Sequence, residues 1–137
     1  MSRIMNLFGK STDIVKLSMN TCELIAAILS EGEGVDVNYT RALNTNLESI
    51  IFVSQDGKTE WKFEATTGTL TITRSTLRNR GEGTWSKVMS LLKRRADADE
   101  FTIVLRDVKD VGTITWCSGN KFTQMPGSDD FAYKTVK

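Results

Sequence analysis

The stretch IIFVSQDGKTEWKFEA, residues 50–65, decides the fold because it places a turn between two β-strand patterns. Residues 50–53 form an apolar run, and the second arm, residues 59–65, alternates between charged and apolar side chains from Glu60 onward. Asp56-Gly57 lies between them and predicts a β-hairpin with a type I′ turn, in which both central residues need a positive φ. One face of the second strand is expected in the core, and it carries Trp61, Phe63 and Ala65.

A helix is predicted before this hairpin, over residues 20–31. Asn20 followed by Glu23 matches a capping box, in which both side chains satisfy exposed N–H groups at a helix start. Four apolar residues then follow at helical spacing: Leu24, Ile25, Ile28 and Leu29. Gly32 is expected to end the helix as a left-handed cap.

A second helix is predicted over residues 84–95. Its apolar residues recur at the spacing of one helical face, and they are Trp85, Val88, Met89 and Leu92. Residues 96–100 are interpreted as an acidic connector. Further strands are expected at 69–73, 101–106, 113–117 and 121–125, where β-forming residues dominate. Segment 13–19 fits either a short strand or a helix start, and 35–48 has no clear pattern.

These elements predict an α+β fold with a mainly antiparallel sheet of five to six strands and two helices, at 20–31 and 84–95. A chain of 137 residues usually closes a single core, so we expect one globular domain over 1–137, with residues 1–12 flexible. The three tryptophans, Trp61, Trp85 and Trp116, are expected to face that core.

Composition excludes several kinds of chemistry. Histidine is absent, which removes Ser-His-Asp and Cys-His catalysis and most zinc sites. Cys22 and Cys117 are far apart and are expected to be buried thiols, although a bridge between them stays open. The longest apolar run, 24–29, is far shorter than the roughly 20 residues that cross a bilayer. We therefore expect a cytoplasmic protein with no cofactor, no catalytic residues, no metal ligands and no membrane contact.

The charged residues are unevenly distributed along the chain. Segment 74–95 carries seven of the 18 Lys and Arg residues against one acid, Glu82, so its net charge is 7 − 1 = +6. The rest of the chain carries 11 basic and 16 acidic residues, or −5. The basic residues of this segment are Arg74, Arg78, Arg80, Lys87, Lys93, Arg94 and Arg95. Such a local field attracts anions.

Two interpretations of this basic segment stand side by side. Arginines in a glycine-containing loop beside a cationic helix suit the phosphates of nucleic acid or an acidic protein surface. Alternatively, the segment is a solvated face, because Asp97 and Asp99 lie close in sequence and three cations, Lys93, Arg94 and Arg95, suit the negative end of a helix dipole. No such account covers Arg74, Arg78 and Arg80, so the loop before Trp85 is the favoured place for a binding function.

Carboxylate and lysine pairs suggest a different function. Glu60 with Lys62, and Asp107 with Lys109, have the spacing that puts both side chains on one face of a strand. Mg²⁺-dependent nucleases use such pairs together with an earlier carboxylate, for which Asp36 or Asp56 is available. The same alternation is also typical of the exposed face of any antiparallel strand.

Two further segments carry a resemblance to a known family. GTLTITR at 68–74 and FTIVLRDVKDV at 101–111 resemble strands of bacterial pleckstrin-homology-like domains. The resemblance implies a binding domain whose barrel is plugged by a C-terminal helix. Such a helix would have to follow Pro126.

The sequence therefore favours a small non-enzymatic interaction or accessory protein, of the kind that phages also encode, which binds an acidic protein surface or nucleic acid through 74–95. The alternatives are a structural or assembly subunit that self-associates as a homo-oligomer through a sheet edge or an apolar patch, a Mg²⁺-dependent nuclease using Glu60 and Lys62, and a pleckstrin-homology-like binding domain.

Overall fold

A computed structural model of the chain describes residues 14–74 and 84–134. The helices are α1 (Met19–Glu33), α2 (Thr84–Asp99) and α3 (Val111–Gly119). The strands are β1 (Val37–Leu43), β2 (Glu48–Ser54), β3 (Glu60–Thr66), β4 (Thr69–Arg74), β5 (Thr102–Leu105), β6 (Thr123–Gln124) and β7 (Phe131–Tyr133). Segment 1–12, which the sequence predicts to be flexible, lies outside the described residues, as do Arg78 and Arg80.

One mixed sheet contains all these strands, in the order β1-β2-β3-β4-β5-β7-β6. Every neighbouring pair is antiparallel except β4 and β5, which run parallel. The α+β class and the mainly antiparallel sheet are confirmed. The described chain has seven strands and three helices, so the predicted numbers of five to six and two are too low.

The predicted hairpin is formed by β2 and β3, and Phe52 pairs with Trp61 in its register. The type I′ turn is wrong, because Gly57 has a positive φ of 75° and Asp56 does not. Instead, Gly57 N–H donates to Ser54 O at 2.8 Å. The Asp56 carboxylate accepts from Ser54 Oγ at 2.8 Å and from Lys58 N–H at 3.1 Å. These local bonds hold Asp56 in the conformation that precedes a left-handed glycine.

Helix α1 is longer than predicted at both ends, and both predicted caps are wrong. Ser18 is the N-cap, and its side chain accepts from Thr21 N–H at 3.1 Å. Gly34 is the left-handed C-cap, with φ 74° and a bond from its N–H to Ser30 O. A serine oxygen one residue before the helix therefore takes the capping role predicted for Asn20. Segment 14–18 is not part of the helix but contacts the end of β3, where Val15 N–H donates to Thr66 O at 3.0 Å.

Four other elements differ from the prediction. Helix α2 continues to Asp99, so residues 96–99 are helical rather than a connector. Residues 113–117 lie in α3, not in a strand, because Asp110 caps the helix. Strands β1 and β7 are not predicted from the sequence; β1 forms one edge of the sheet, and β7 lies between β5 and the other edge strand, β6. After Pro126 the described chain forms a turn and β7 rather than the helix that a pleckstrin-homology-like domain implies.

The core lies between the helices and one face of the sheet. Cross-strand neighbours on this face are fully buried, for example Ile50 with Phe63 and Phe52 with Trp61. The buried residues form a single cluster that includes α1, α2 and the central strands, as expected for one domain. The opposite face of the sheet carries half-buried residues such as Ile51, Lys62 and Thr71. The molecule therefore has two layers in its described part, with helices on one side of the sheet.

Aromatic side chains connect these elements through the core. Trp61 contacts Trp85 with ring centroids 5.6 Å apart, and Trp85 contacts Trp116 at 5.4 Å in an edge-to-face arrangement. Trp116 then contacts Phe122 at 5.4 Å. Trp61 is fully buried as predicted, whereas Trp85 and Trp116 are partly buried against the core. This series of rings holds α2 and α3 on the sheet.

Candidate interaction groove

Helices α1 and α2 lie side by side and run antiparallel, because the end of α1 contacts the start of α2. Gly32 makes this approach possible. A Cβ at this position would overlap the Thr84 hydroxyl and lie 2.9 Å from Thr84 Cγ2. Gly32 is therefore a packing glycine between two helices and not the left-handed cap predicted from the sequence.

The two helices form a groove of about 430 Å³ on their outer side. Its apolar lining comes from both helices and consists of Leu24, Ile28 and Leu91. Its polar lining comes from α2 alone and consists of Ser86, Lys87, Ser90 and Arg94. The groove therefore combines an apolar part with a rim of hydroxyl and cationic groups along one helix.

Leu24 gives the groove its exposed apolar surface. Of the four apolar residues predicted to face the core in α1, Ile25 and Leu29 are buried. Leu24 is 54% exposed, and Ile28 is partly buried against the core. Helix α1 thus has a second apolar stripe, Leu24 and Ile28, one turn apart and lining the groove beside α2.

The cations of the rim are loosely held. Lys87 Nζ lies 3.8 Å from Glu31 Oε1, and the two side chains are 60% and 77% exposed. An ion pair with this exposure contributes about 0–1 kcal/mol. Arg94 is exposed and makes no ion pair with the described residues. Both cations can therefore turn to another carboxylate at little cost.

The structure separates the basic residues that the sequence groups together. Lys87 and Arg94 line the groove, and Arg95 is exposed outside it. Lys93 faces another side of α2, where its Nζ donates to Asn120 O at 3.0 Å and lies 5.0 Å from the Tyr133 ring centroid. Arg74 ends β4, and Arg78 and Arg80 fall outside the described residues.

The predicted explanation of Lys93, Arg94 and Arg95 by the helix dipole is wrong. These residues precede the last turn of α2, which continues to Asp99, and that last turn contains no basic residue. The dipole effect is confined to the terminal turns of a helix. Lys93 is instead held by its contact with Asn120, and Arg94 lines the groove.

The residues of the nuclease interpretation are not brought together as a metal site. Lys62 Nζ lies 3.6 Å from Glu64 on the open face of the sheet. Asp107 and Lys109 follow the end of β5 in a loop, so their predicted place on a strand is wrong. Residues 14–74 and 84–134 contain no group of three His, Cys, Asp or Glu side chains placed to hold a metal. The nuclease function stays a prediction.

Both cysteines are buried as thiols and do not form a disulfide. Burial raises the pKa of the Cys22 thiol above its ordinary value, and the nearby Arg41 opposes that rise. A thiol with a raised pKa is a poor nucleophile at neutral pH. Cys22 therefore belongs to the core, as expected.

In the two described segments, 14–74 and 84–134, no helix has both the length and the apolar character that crossing a bilayer requires. The chain matches no protein-family model and no curated protein. Lys87 and Arg94 were predicted from the sequence, whereas the apolar half of the groove and its two serines were not. The sequence did contain a signal for the apolar half, because α1 has more apolar residues than one core-facing side needs, and Leu24 is the exposed one.

Proposed function

We propose that this protein is a non-enzymatic interaction protein that binds an acidic, amphipathic segment of a partner protein in the groove between α1 and α2. The observation that carries the proposal is the presence of exposed Leu24 and the cations Lys87 and Arg94 in one groove. An amphipathic segment would place apolar side chains against Leu24, Ile28 and Leu91 and carboxylates near the cations. This is the helix-in-groove mode of peptide recognition.

The apolar lining favours a protein segment over nucleic acid. A phosphate backbone gains affinity from cations and has no apolar groups to bury against leucine and isoleucine side chains. The described groove contains Leu24, Ile28 and Leu91 but no aromatic ring on which a base could stack. Two cations of the basic segment, Lys87 and Arg94, therefore act as the charged rim of an apolar site.

The cations supply selectivity for acidic segments. A partner carboxylate can replace Glu31 beside Lys87, because that exposed pair is weak. Charge complementarity of this kind speeds association and is screened by salt. Arg74, Arg78 and Arg80, which the sequence also predicts to bind, would add positive charge to the same interaction.

The test uses a fluorescent peptide with leucines at helical spacing on one face and glutamates on the other, and its binding is followed by anisotropy. The groove variant is Lys87→Glu with Arg94→Glu, and the matched control is Arg95→Glu with Arg106→Glu, which changes the net charge equally. We expect the groove variant to weaken binding about tenfold or more, as roughly 1.4 kcal/mol would. The control should keep most of the affinity.

Two further measurements define what would contradict the proposal. Leu24→Ser should weaken binding of the amphipathic peptide without changing its salt dependence, because it removes apolar area and no charge. A duplex oligonucleotide should bind weakly and show no dependence on Leu24. The proposal is wrong if groove and control variants behave alike, or if the oligonucleotide binds and the peptide does not. A Glu variant of Arg78 and Arg80 tests the loop in the same assay.

A further inference from the structure

Strand β1 forms one edge of the sheet, and its outer side has no neighbouring strand in the described part of the chain. It is seven residues long, and five of them are exposed: Asn38, Thr40, Arg41, Ala42 and Leu43. Leu43 is 67% exposed although it is a large apolar residue. This surface is made of different residues from the groove.

The register shows which backbone groups of β1 point outward. Asn44 N–H donates to Leu47 O at 2.8 Å, and Gln55 N–H donates to Asp36 O at 2.7 Å, at the two ends of the β1–β2 pair. Bonded pairs alternate along an antiparallel ladder, so the even-numbered residues of β1 bond to β2. The N–H and C=O groups of Tyr39, Arg41 and Leu43 therefore face away from the sheet.

Natural edge strands usually carry protection against pairing, such as a proline, a bulge or an outward charge. The β1 sequence, VNYTRAL, contains no proline and one charged residue, Arg41. That charge is already compensated, because Arg41 Nε and Nη2 donate to both carboxylate oxygens of Glu48 at 2.8 and 3.0 Å. The edge thus carries no unpaired charge, and it is open to strand addition from Tyr39 to Leu43, since Val37 N–H already donates to Ser30 Oγ at 2.8 Å.

We infer that β1 pairs with β1 of a second copy of this chain, antiparallel and about a two-fold axis at Thr40. This register places Tyr39 opposite Arg41 of the second copy and Val37 opposite Leu43, so the exposed leucine gains an apolar neighbour. These four residues are all odd-numbered, so their side chains lie on the core-facing side of the sheet in both copies. Outward N–H and C=O groups of Tyr39 and Arg41 bond to their counterparts in both copies.

A second symmetric register, with its axis at Arg41, is less favourable. It would place the two Arg41 side chains, each paired with its own Glu48, directly opposite each other, so neither guanidinium would gain an attractive neighbour. In the Thr40 register, the guanidinium instead meets an aromatic ring, which attracts it. Of these two registers, the one with its axis at Thr40 is therefore favoured.

Sedimentation velocity at several protein concentrations tests whether dimers form, and variants at Thr40 test the register. Thr40→Lys and Thr40→Glu each place like charges across the axis and should weaken dimerisation about tenfold or more. An equimolar mixture of the two variants should recover it as a heterodimer. Asn38→Lys is the control, since its substituted side chain would face Ala42 and dimerisation should remain.

Amide hydrogen exchange gives a second readout that does not depend on any substitution. The N–H groups of Tyr39, Arg41 and Leu43 should exchange more slowly as concentration rises. The inference is overturned if the wild-type chain stays monomeric up to about millimolar concentration. At that concentration, only a dimer with an association free energy weaker than roughly 4 kcal/mol would escape detection. It is also overturned if folded Thr40 variants dimerise like the wild type, or if their mixture does not recover dimers.

Discussion

Tyr133 on β7 donates its hydroxyl hydrogen to Asp97 on α2 at 2.8 Å, so the last described strand is tied to the second helix. The Tyr133 side chain is buried, and Lys93 of the same helix lies over its ring. Burial raises the pKa of the Tyr133 hydroxyl above its ordinary value of 10.0, and the hydrogen bond to Asp97 raises it further. These contacts explain why Lys93 is unavailable to the groove.

Tyr133→Phe should lower the free energy of unfolding by about 1 kcal/mol at neutral pH, because it removes one hydrogen bond and keeps the ring. Since the folded-state pKa is raised, the stability linked to the neutral hydroxyl is complete below pH 10.0. It is lost as pH rises above 10.0 through the folded-state pKa. Urea unfolding of both proteins between pH 7 and about pH 11 should show their difference shrinking at the alkaline end. A constant difference would contradict this account.

Gly32→Ala should destabilise the protein although alanine is the better helix former. The added Cβ would overlap Thr84, and such overpacking costs about 1–3 kcal/mol. The gain in helix propensity from glycine to alanine is roughly 1 kcal/mol, which only the lower end of that cost matches. Gly119→Ala is the matched control, because no atom lies within 4 Å of a Cβ there. Thermal unfolding should show a loss for Gly32→Ala alone. Adding Thr84→Ala should restore part of it, and no restoration would mean that the overlap is not the cause.

The pair formed by Arg41 and Glu48 provides another test. Their side chains are 29% and 11% exposed, and the hydrogen bond to Glu48 raises the pKa of Arg41. Arg41→Leu should cost more than Arg41→Leu combined with Glu48→Leu, because the single change leaves a nearly buried carboxylate without its cation. A double-mutant cycle by urea unfolding should give a coupling free energy of about 1–3 kcal/mol. A coupling near zero would show that solvent screens the pair.

The central fold was predictable because its signals are local and repeated. The alternation of Trp61, Phe63 and Ala65 predicted both the strand and its buried face. Strand β1 was not predictable, since an edge strand is exposed over most of its length and its core-facing side includes Arg41. The groove depends on how two helices approach, which α1 alone does not show. Only Lys87 and Arg94 could be identified beforehand, from charge.

Helix α3 shows how a cap can outweigh β-forming residues. Val111, Thr113, Ile114 and Thr115 favour a strand, yet the Asp110 carboxylate accepts from Thr113 N–H at 2.9 Å and from Thr113 Oγ1 at 2.6 Å. Thr113 and Cys117 are then buried one turn apart. Asp110→Ala should cost about 0.5–2 kcal/mol, as the loss of an N-cap does.

Asp110→Asn is the control for this prediction, because asparagine caps helices about as well as aspartate. Chemical unfolding of both variants, followed by tryptophan fluorescence, gives the comparison directly. Trp116 on α3 contacts Trp85 and Phe122, so a loosened α3 should also alter the emission of the folded state. Equal losses for alanine and asparagine would assign the effect to the Asp110 charge rather than to its cap.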